Sequence, residues 1–177
     1  MKPVTRLLWM FPFLFLCCAD QGEEPGAPQG SITSDASLFE LITRRDPFTA
    51  YTMFPLADSI TSGTLNGSNA HQPLVTVRLN QTALSSLQSG RLPAGSAFAD
   101  GSIIVKQIIV GGQTAVIAVL YKDTGNPLAG EGWLWSEFQP DGTPLFSITT
   151  RGANCTGCHM REEGPQHDLV RTFERQR

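Results

Sequence analysis

The five residues Cys155-Thr156-Gly157-Cys158-His159 limit what this chain can fold into more than any other feature. Two thiols separated by two residues can each add to a vinyl group of a haem, and a histidine directly after the second reaches the iron from the same side as its proximal ligand. The segment predicts a covalently attached haem c, one per chain, with Cys155 and Cys158 on the porphyrin edge and His159 on the iron. Two other uses of the pair are weaker. A zinc site needs two more ligands, and the mature chain offers only His71, His167 and carboxylates, with no second cluster at zinc spacing. A redox dithiol belongs at a helix start after a strand of a βαβ unit, which this late, loop-flanked position does not resemble.

The other two of the four cysteines, Cys17 and Cys18, end the apolar run 7–16, which follows Lys2 and Arg6. That run is too short to span a bilayer as a stable helix and reads as an export signal over residues 1–18, either plain secretory or of lipoprotein type with Cys18 lipidated. Residues 19–33 read as a solvated tether and 34–177 as one domain, since a chain of 177 residues supports one core but not comfortably two. The expected location is the periplasm or cell envelope, with membrane contact only through a lipid anchor at Cys18. A disulfide between Cys155 and Cys158 would close too small a loop to staple anything, so a cofactor is the better use of the pair. The net charge of -3 with scattered Lys and Arg offers no basic stripe for nucleic acid.

Ser34 predicts the cap of a helix over 34–45, with Leu38, Leu41 and Ile42 on one face and Pro47 ending it. Residues 47–71 lack a clear period and read as mostly loop, with a turn at Asn66-Gly67. Alternation over 74–79 predicts a strand, after which Asn80 caps a helix carrying Leu84 and Leu87 that stops at Gly90. Residues 101–110 and 114–122, joined through Gly111-Gly112, read as a long hairpin. Residues 133–139 and 143–150, turned by Pro140-Asp141-Gly142, read as two further strands. The fold class is mainly β, a single antiparallel-sheet domain with a few short helices.

The second axial position decides what such a haem does, because a strong sixth ligand favours electron transfer and an open one admits a small molecule. Met160 directly follows His159 and cannot reach the opposite haem face. Met53, among Tyr51, Phe54 and Leu56, reads as core packing before ligation. His167, in the polar segment 161–168, reads as an exposed histidine. His71, just ahead of a strand, is either a distal residue or a surface or capping residue.

From about 74 to 173 the order of features resembles the cytochrome P460 family, which includes the cytochrome c'-beta proteins. The matching parts are LVTVRLN; FADGSIIVK, ending at Lys106; AVLYKD, with Lys122; GWLW, with Trp133; and the cysteine motif followed by HDLVRTF. The resemblance implies an antiparallel β fold, a five-coordinate haem with His159 proximal, and a distal pocket for small nitrogen compounds such as hydroxylamine or nitric oxide. The protein would then be either a haem oxidoreductase, served by a redox partner protein, or a gas-binding cytochrome, and family members are often homodimers. Lys106 matches the lysine that is bonded to the haem edge in cytochrome P460. Its strand neighbours Ile104 and Ile108 share its face, so it points to an apolar side, although a snorkelling lysine would fit there too.

One position departs from the family pattern. Members that oxidise hydroxylamine carry a distal carboxylate four residues before the second lysine, where this chain has Ala118. Alanine cannot accept a proton, which predicts little hydroxylamine turnover and an apolar distal pocket suited to neutral diatomic gas. His71 aligns near an aromatic capping position of the family, as a hydrogen-bond donor to a ligand or an iron ligand itself. The competing reading is an electron-transfer cytochrome with a six-coordinate haem and His71 or Met53 as second ligand.

Overall fold

The computed structural model describes residues 31–54, 61–62 and 70–172. The expected signal, most of the tether, the Asn66-Gly67 turn and Phe173 lie outside the described residues.

Among the described residues the first element is α1 (Asp35–Glu40), which widens into a π turn over Leu41–Arg45, followed by a 3-10 turn at Phe48–Ala50. Strands follow at β1 (Thr52–Phe54), β2 (Thr61–Ser62) and β3 (Leu74–Leu79), then helix α2 (Gln81–Ser85). Next come β4 (Ile103–Val110), β5 (Gln113–Lys122), β6 (Trp133–Phe138) and β7 (Pro144–Phe146). After a 3-10 turn at Ile148–Thr150, the cysteine motif forms the one-turn helix α3 (Thr156–His159), and a further 3-10 turn spans Gly164–His167. The seven strands make one antiparallel sheet in the order β1-β3-β4-β5-β6-β7, with β2 also paired to β3.

The expected caps form. The Ser34 hydroxyl accepts from the Ser37 N–H at 3.1 Å, and Asn80 Oδ1 accepts from the N–H groups of Ala83 at 2.9 Å and Ile103 at 3.0 Å. Asn80 thereby fixes α2 to the start of β4. Between β4 and β5, Gly111 and Gly112 both take positive φ, 59° and 81°, the backbone of a two-residue type I′ turn whose twist matches the flanking strands. The stretch 47–71, read as loop, contributes β1 and β2, which are too short to show an alternation and exist because the edge of β3 pairs with them. Only Pro144–Phe146 of the expected strand 143–150 forms a strand; Ser147 then accepts from the Thr149 N–H and turns the chain into a 3-10 segment.

Strand alternation divides the sheet into two faces with different partners. Ile103 and Val105 of β4, Ile117, Val119 and Tyr121 of β5, and Leu134 and Phe138 of β6 form a core with Leu38, Leu41, Ile42, Phe48 and Tyr51 of the N-terminal segment. The opposite face presents Ile104, Lys106, Ala118, Leu120, Lys122, Trp133, Trp135 and Glu137. There Ile104, Trp133 and Trp135 pack with Leu92, Phe98, Leu169 and Val170, and Cys155 packs against the same cluster. The C-terminal segment with the cysteine motif covers this second face.

Candidate functional site

The imidazole of His159 is fixed from two directions. Its Nδ1 lies 2.6 Å from the carbonyl oxygen of Leu169. A carbonyl only accepts, so Nδ1 carries the proton and Nε2 keeps the lone pair that a metal needs. The Trp135 ring stands edge-on to the imidazole, 4.9 Å between centroids at 82°. The tryptophan is held in turn by its own N–H, which donates to the Gly130 carbonyl at 2.8 Å. Gly152 lets the chain pass close by: a Cβ there would lie 2.5 Å from Trp135 Cδ1. Burial, followed by the charge of Lys106, pulls the His159 pKa down to about 3, so the imidazole is neutral across the ordinary pH range, as ligation requires.

The Leu169 carbonyl is itself positioned. Asp168 and Leu169 both take left-handed backbone, φ 52° and 65°, which non-glycine residues rarely adopt. What holds them is Lys122, only 4% exposed, whose ammonium donates to the Asp168 carboxylate at 2.8 Å. The same carboxylate accepts the Phe98 N–H at 2.9 Å, and the Asp168 carbonyl accepts the Trp133 indole N–H at 2.9 Å. Lys122 also sits over the Trp133 ring, 4.8 Å from its centroid. Beside the motif, buried Arg171 donates to Cys158 through its carbonyl oxygen and its Sγ, each at 3.2 Å, and to Glu162 at 2.9 Å.

A cavity of about 310 Å³ opens between the motif and the sheet. Cys155, Cys158 and His159 line it, with Ile104, Lys106, Ala118, Leu120, Trp135 and Glu137 of the sheet and His71 from the turn before β3. His71 bridges two charged groups: its Nε2 is 2.9 Å from Glu137 Oε1, and its Nδ1 is 3.4 Å from Lys106 Nζ. Lysine only donates, which makes Nδ1 the acceptor and leaves Nε2–H to donate to the carboxylate. Burial lowers the His71 pKa although the hydrogen bond to Glu137 opposes it, and Lys106 adds to the lowering. Neither motif cysteine is in a disulfide. Burial, then Glu137 and Cys158, push the Cys155 thiol up to about 11, opposite to the depressed value of a redox dithiol.

The family model of cytochrome P460 matches residues 58–172. The chain belongs to the cytochrome P460 family. Its cofactor is therefore a haem and its metal iron. None of the curated proteins matches the chain. The site of this cytochrome P460 protein fits the group: the cavity has the size of a cofactor pocket and mainly apolar walls. A neutral imidazole with an available Nε2 stands in one wall, with two thiols beside it. His159 would hold the iron, and Cys155 and Cys158 the porphyrin edge.

Of the residues singled out from sequence, Cys155, Cys158, His159, Lys106 and His71 all meet at this cavity. The others do not. Met53 is on edge strand β1 opposite Arg78, and Met160 is 48% exposed. His167, expected to be exposed, is 7% exposed, with Nδ1 3.0 Å from the Leu92 carbonyl oxygen; the 3-10 turn buries Gly164 and His167 while most of the surrounding polar segment stays exposed. The cavity is mainly apolar, as expected, but it holds one carboxylate. Ala118 supplies none, but its cross-strand partner on β6 is Glu137, whose carboxylate lines the cavity. The signal was present in the alternation of Trp133, Trp135 and Glu137, which puts all three on one face.

Proposed function

We propose that this protein is an exported c-type cytochrome whose single, covalently held haem keeps an open sixth position for small nitrogen-containing ligands such as nitric oxide or hydroxylamine. The observation that carries this reading is the state of His71. It alone, among the sixth ligands considered, lines the cavity, and both of its ring nitrogens are engaged, by Lys106 and Glu137. An electron carrier with a strong second ligand finds no side chain set for that role among the described residues.

When bound, the haem supplies the iron that takes the exogenous ligand and exchanges electrons with it. The chain's own residues do the rest. His159 offers a neutral Nε2, and the Leu169 carbonyl, by accepting from Nδ1, raises the basicity of the ring. The thiols of Cys155 and Cys158 would hold the porphyrin edge through its two vinyl groups, and the apolar walls limit water at the site. Lys106 lines the same cavity, which supports a bond from its Nζ to the haem edge; that bond would replace one N–H and one porphyrin C–H, their two hydrogens passing to a two-electron oxidant of the peroxide class. The N-terminal pattern supports export to the periplasm or cell envelope, with a lipid anchor at Cys18. A redox partner protein and a homodimer complete the proposal.

Optical spectra of the purified holoprotein test it. High-spin or mixed-spin ferric haem is expected, with nitric oxide binding in both oxidation states; a fully low-spin His/Met or bis-histidine spectrum would sink the reading. Intact mass of the protein isolated from cell envelopes should report one haem per chain and a lipid on Cys18. A Lys106→Ala variant with unchanged spectrum and unchanged haem–peptide linkage would rule out the lysine bond.

A further inference from the structure

We infer that the buried pair Lys122–Asp168 is a positioning device for His159: by holding residues 168 and 169 in left-handed backbone it keeps the Leu169 carbonyl on Nδ1, and so sets the tautomer and donor strength of the imidazole. The inference rests on the reading of His159 as the residue that would hold the iron.

Asp168 is held by three separate elements. Its Oδ1 accepts from the Lys122 ammonium of β5 at 2.8 Å, its Oδ2 from the Phe98 N–H ahead of β4 at 2.9 Å, and its carbonyl oxygen from the Trp133 indole of β6 at 2.9 Å. A carboxylate with a donor on each oxygen is fixed in one orientation, whereas an apolar side chain of the same volume would fill the space without fixing a direction. Stability alone does not account for the arrangement, because a buried ion pair is often no better for the fold than well-packed apolar residues.

The consequence passes along the backbone. Asp168 at φ 52° and Leu169 at φ 65° lie where residues with a Cβ are strained, and such conformations persist only where the surroundings over-determine them. Leucine lacks the short polar side chain that makes this region tolerable for Asp or Asn, so its conformation follows from the hold on Asp168. The Leu169 N–H donates to the Gly164 carbonyl at 2.7 Å and the Val170 N–H to the His167 carbonyl at 2.9 Å, which ties both sides of the turn. The Leu169 carbonyl oxygen then ends 2.6 Å from His159 Nδ1.

The link is geometric. Lys122 and Asp168 together are neutral, so their influence on the ring runs through the backbone they hold. Burial, then Lys106, lowers the His159 pKa, and the Leu169 carbonyl opposes them. That carbonyl is the group that strengthens the imidazole as a donor. If it swung away, Nδ1–H would lose its acceptor inside the protein, and the preference for the proton on Nδ1 would go with it.

Two readouts on the holoprotein test the assignment: the iron–histidine stretching band in resonance Raman spectra of the ferrous form, and the reduction potential. Asp168→Ala removes both carboxylate contacts, and Trp133→Phe removes only the indole donor while leaving a ring under Lys122. Leu41→Ala serves as the control, since it damages the core on the opposite face of the sheet. In Asp168→Ala the band is expected at lower frequency and the potential higher than in the wild type, because a weaker imidazole donor favours the ferrous form. Trp133→Phe should move both in the same direction by less, and Leu41→Ala neither. Wild-type values for both readouts in Asp168→Ala, or equal shifts in Leu41→Ala, overturn the inference; where Asp168→Ala gives no folded protein, Trp133→Phe decides on the same criteria. Failure of the open sixth position looks different: a six-coordinate, low-spin ferrous wild type without the band, in which the potentials of the variants still decide.

Discussion

His159 and His71 are neutral for the same reason, burial, and the consequence is a measurable dependence of stability on pH. Both folded-state values lie below the unfolded value of 6.5, so at acid pH the unfolded chain binds more protons than the folded one. Stability is then fully present above about pH 6.5 and falls as pH falls, for His159 down to about 3. Each histidine still neutral in the fold costs about 1.4 kcal/mol per pH unit in that window. A haem-free form made by Cys155→Ser with Cys158→Ser, unfolded by urea at pH 6.5 and at pH 5, should lose about 1.6 kcal/mol through His159 alone, the unfolded imidazole being already half-protonated at pH 6.5. Adding His159→Gln should remove that share of the loss, and an equal loss with and without the histidine would refute the assignment. At this scale the sequence was informative wherever chemistry needs a side chain at fixed spacing: Cys155, Cys158 and His159 were legible at once. The Leu169 carbonyl that orients the ring was not, because every residue has one and only the fold decides where it points.

Among the elements, the pair Asp168-Leu169 does the most for its length, and it survives in left-handed backbone only because Lys122, Trp133 and Phe98 hold it. Three sequence pieces that carried the family resemblance, those around Lys122, Trp133 and Asp168, are here one clamp behind His159. Their shared purpose could not be read from sequence, since they lie on different strands and a distant turn. The long strands β3 to β6 were legible from alternation, whereas β1, β2 and the 3-10 turns depend on partners rather than on their own pattern. Removing one member of the clamp's buried ion pair leaves an uncompensated charge, so Asp168→Asn should cost about 3–5 kcal/mol. Replacing both, as Lys122→Met with Asp168→Asn, should recover most of that cost in the same urea titration. A double variant no more stable than Asp168→Asn would show that the pair is not coupled as the 2.8 Å contact indicates.

For the molecule as a whole, the sheet acts as a partition: the N-terminal segment packs on one face and the cavity with Cys155, Cys158 and His159 lies on the other. Strand alternation makes this separation sharp, because neighbouring residues such as Val105 and Lys106 serve different compartments. The core under α1 should therefore set global stability without tuning the iron. Leu41 is fully buried in that core and does not line the cavity. Leu41→Ala removes side-chain atoms whose space the surrounding structure refills only in part, at a cost of about 2–5 kcal/mol. In conditions where the variant is still folded, its ferric spectrum and nitric oxide affinity should match the wild type, since sites without shared contacts behave additively. A thermal melt shifted downward with an unchanged spectrum is the expected pair of results. A changed spin state in the folded variant would mean that strain crosses the sheet through β4 and β5, and that the two faces are coupled through the backbone they share.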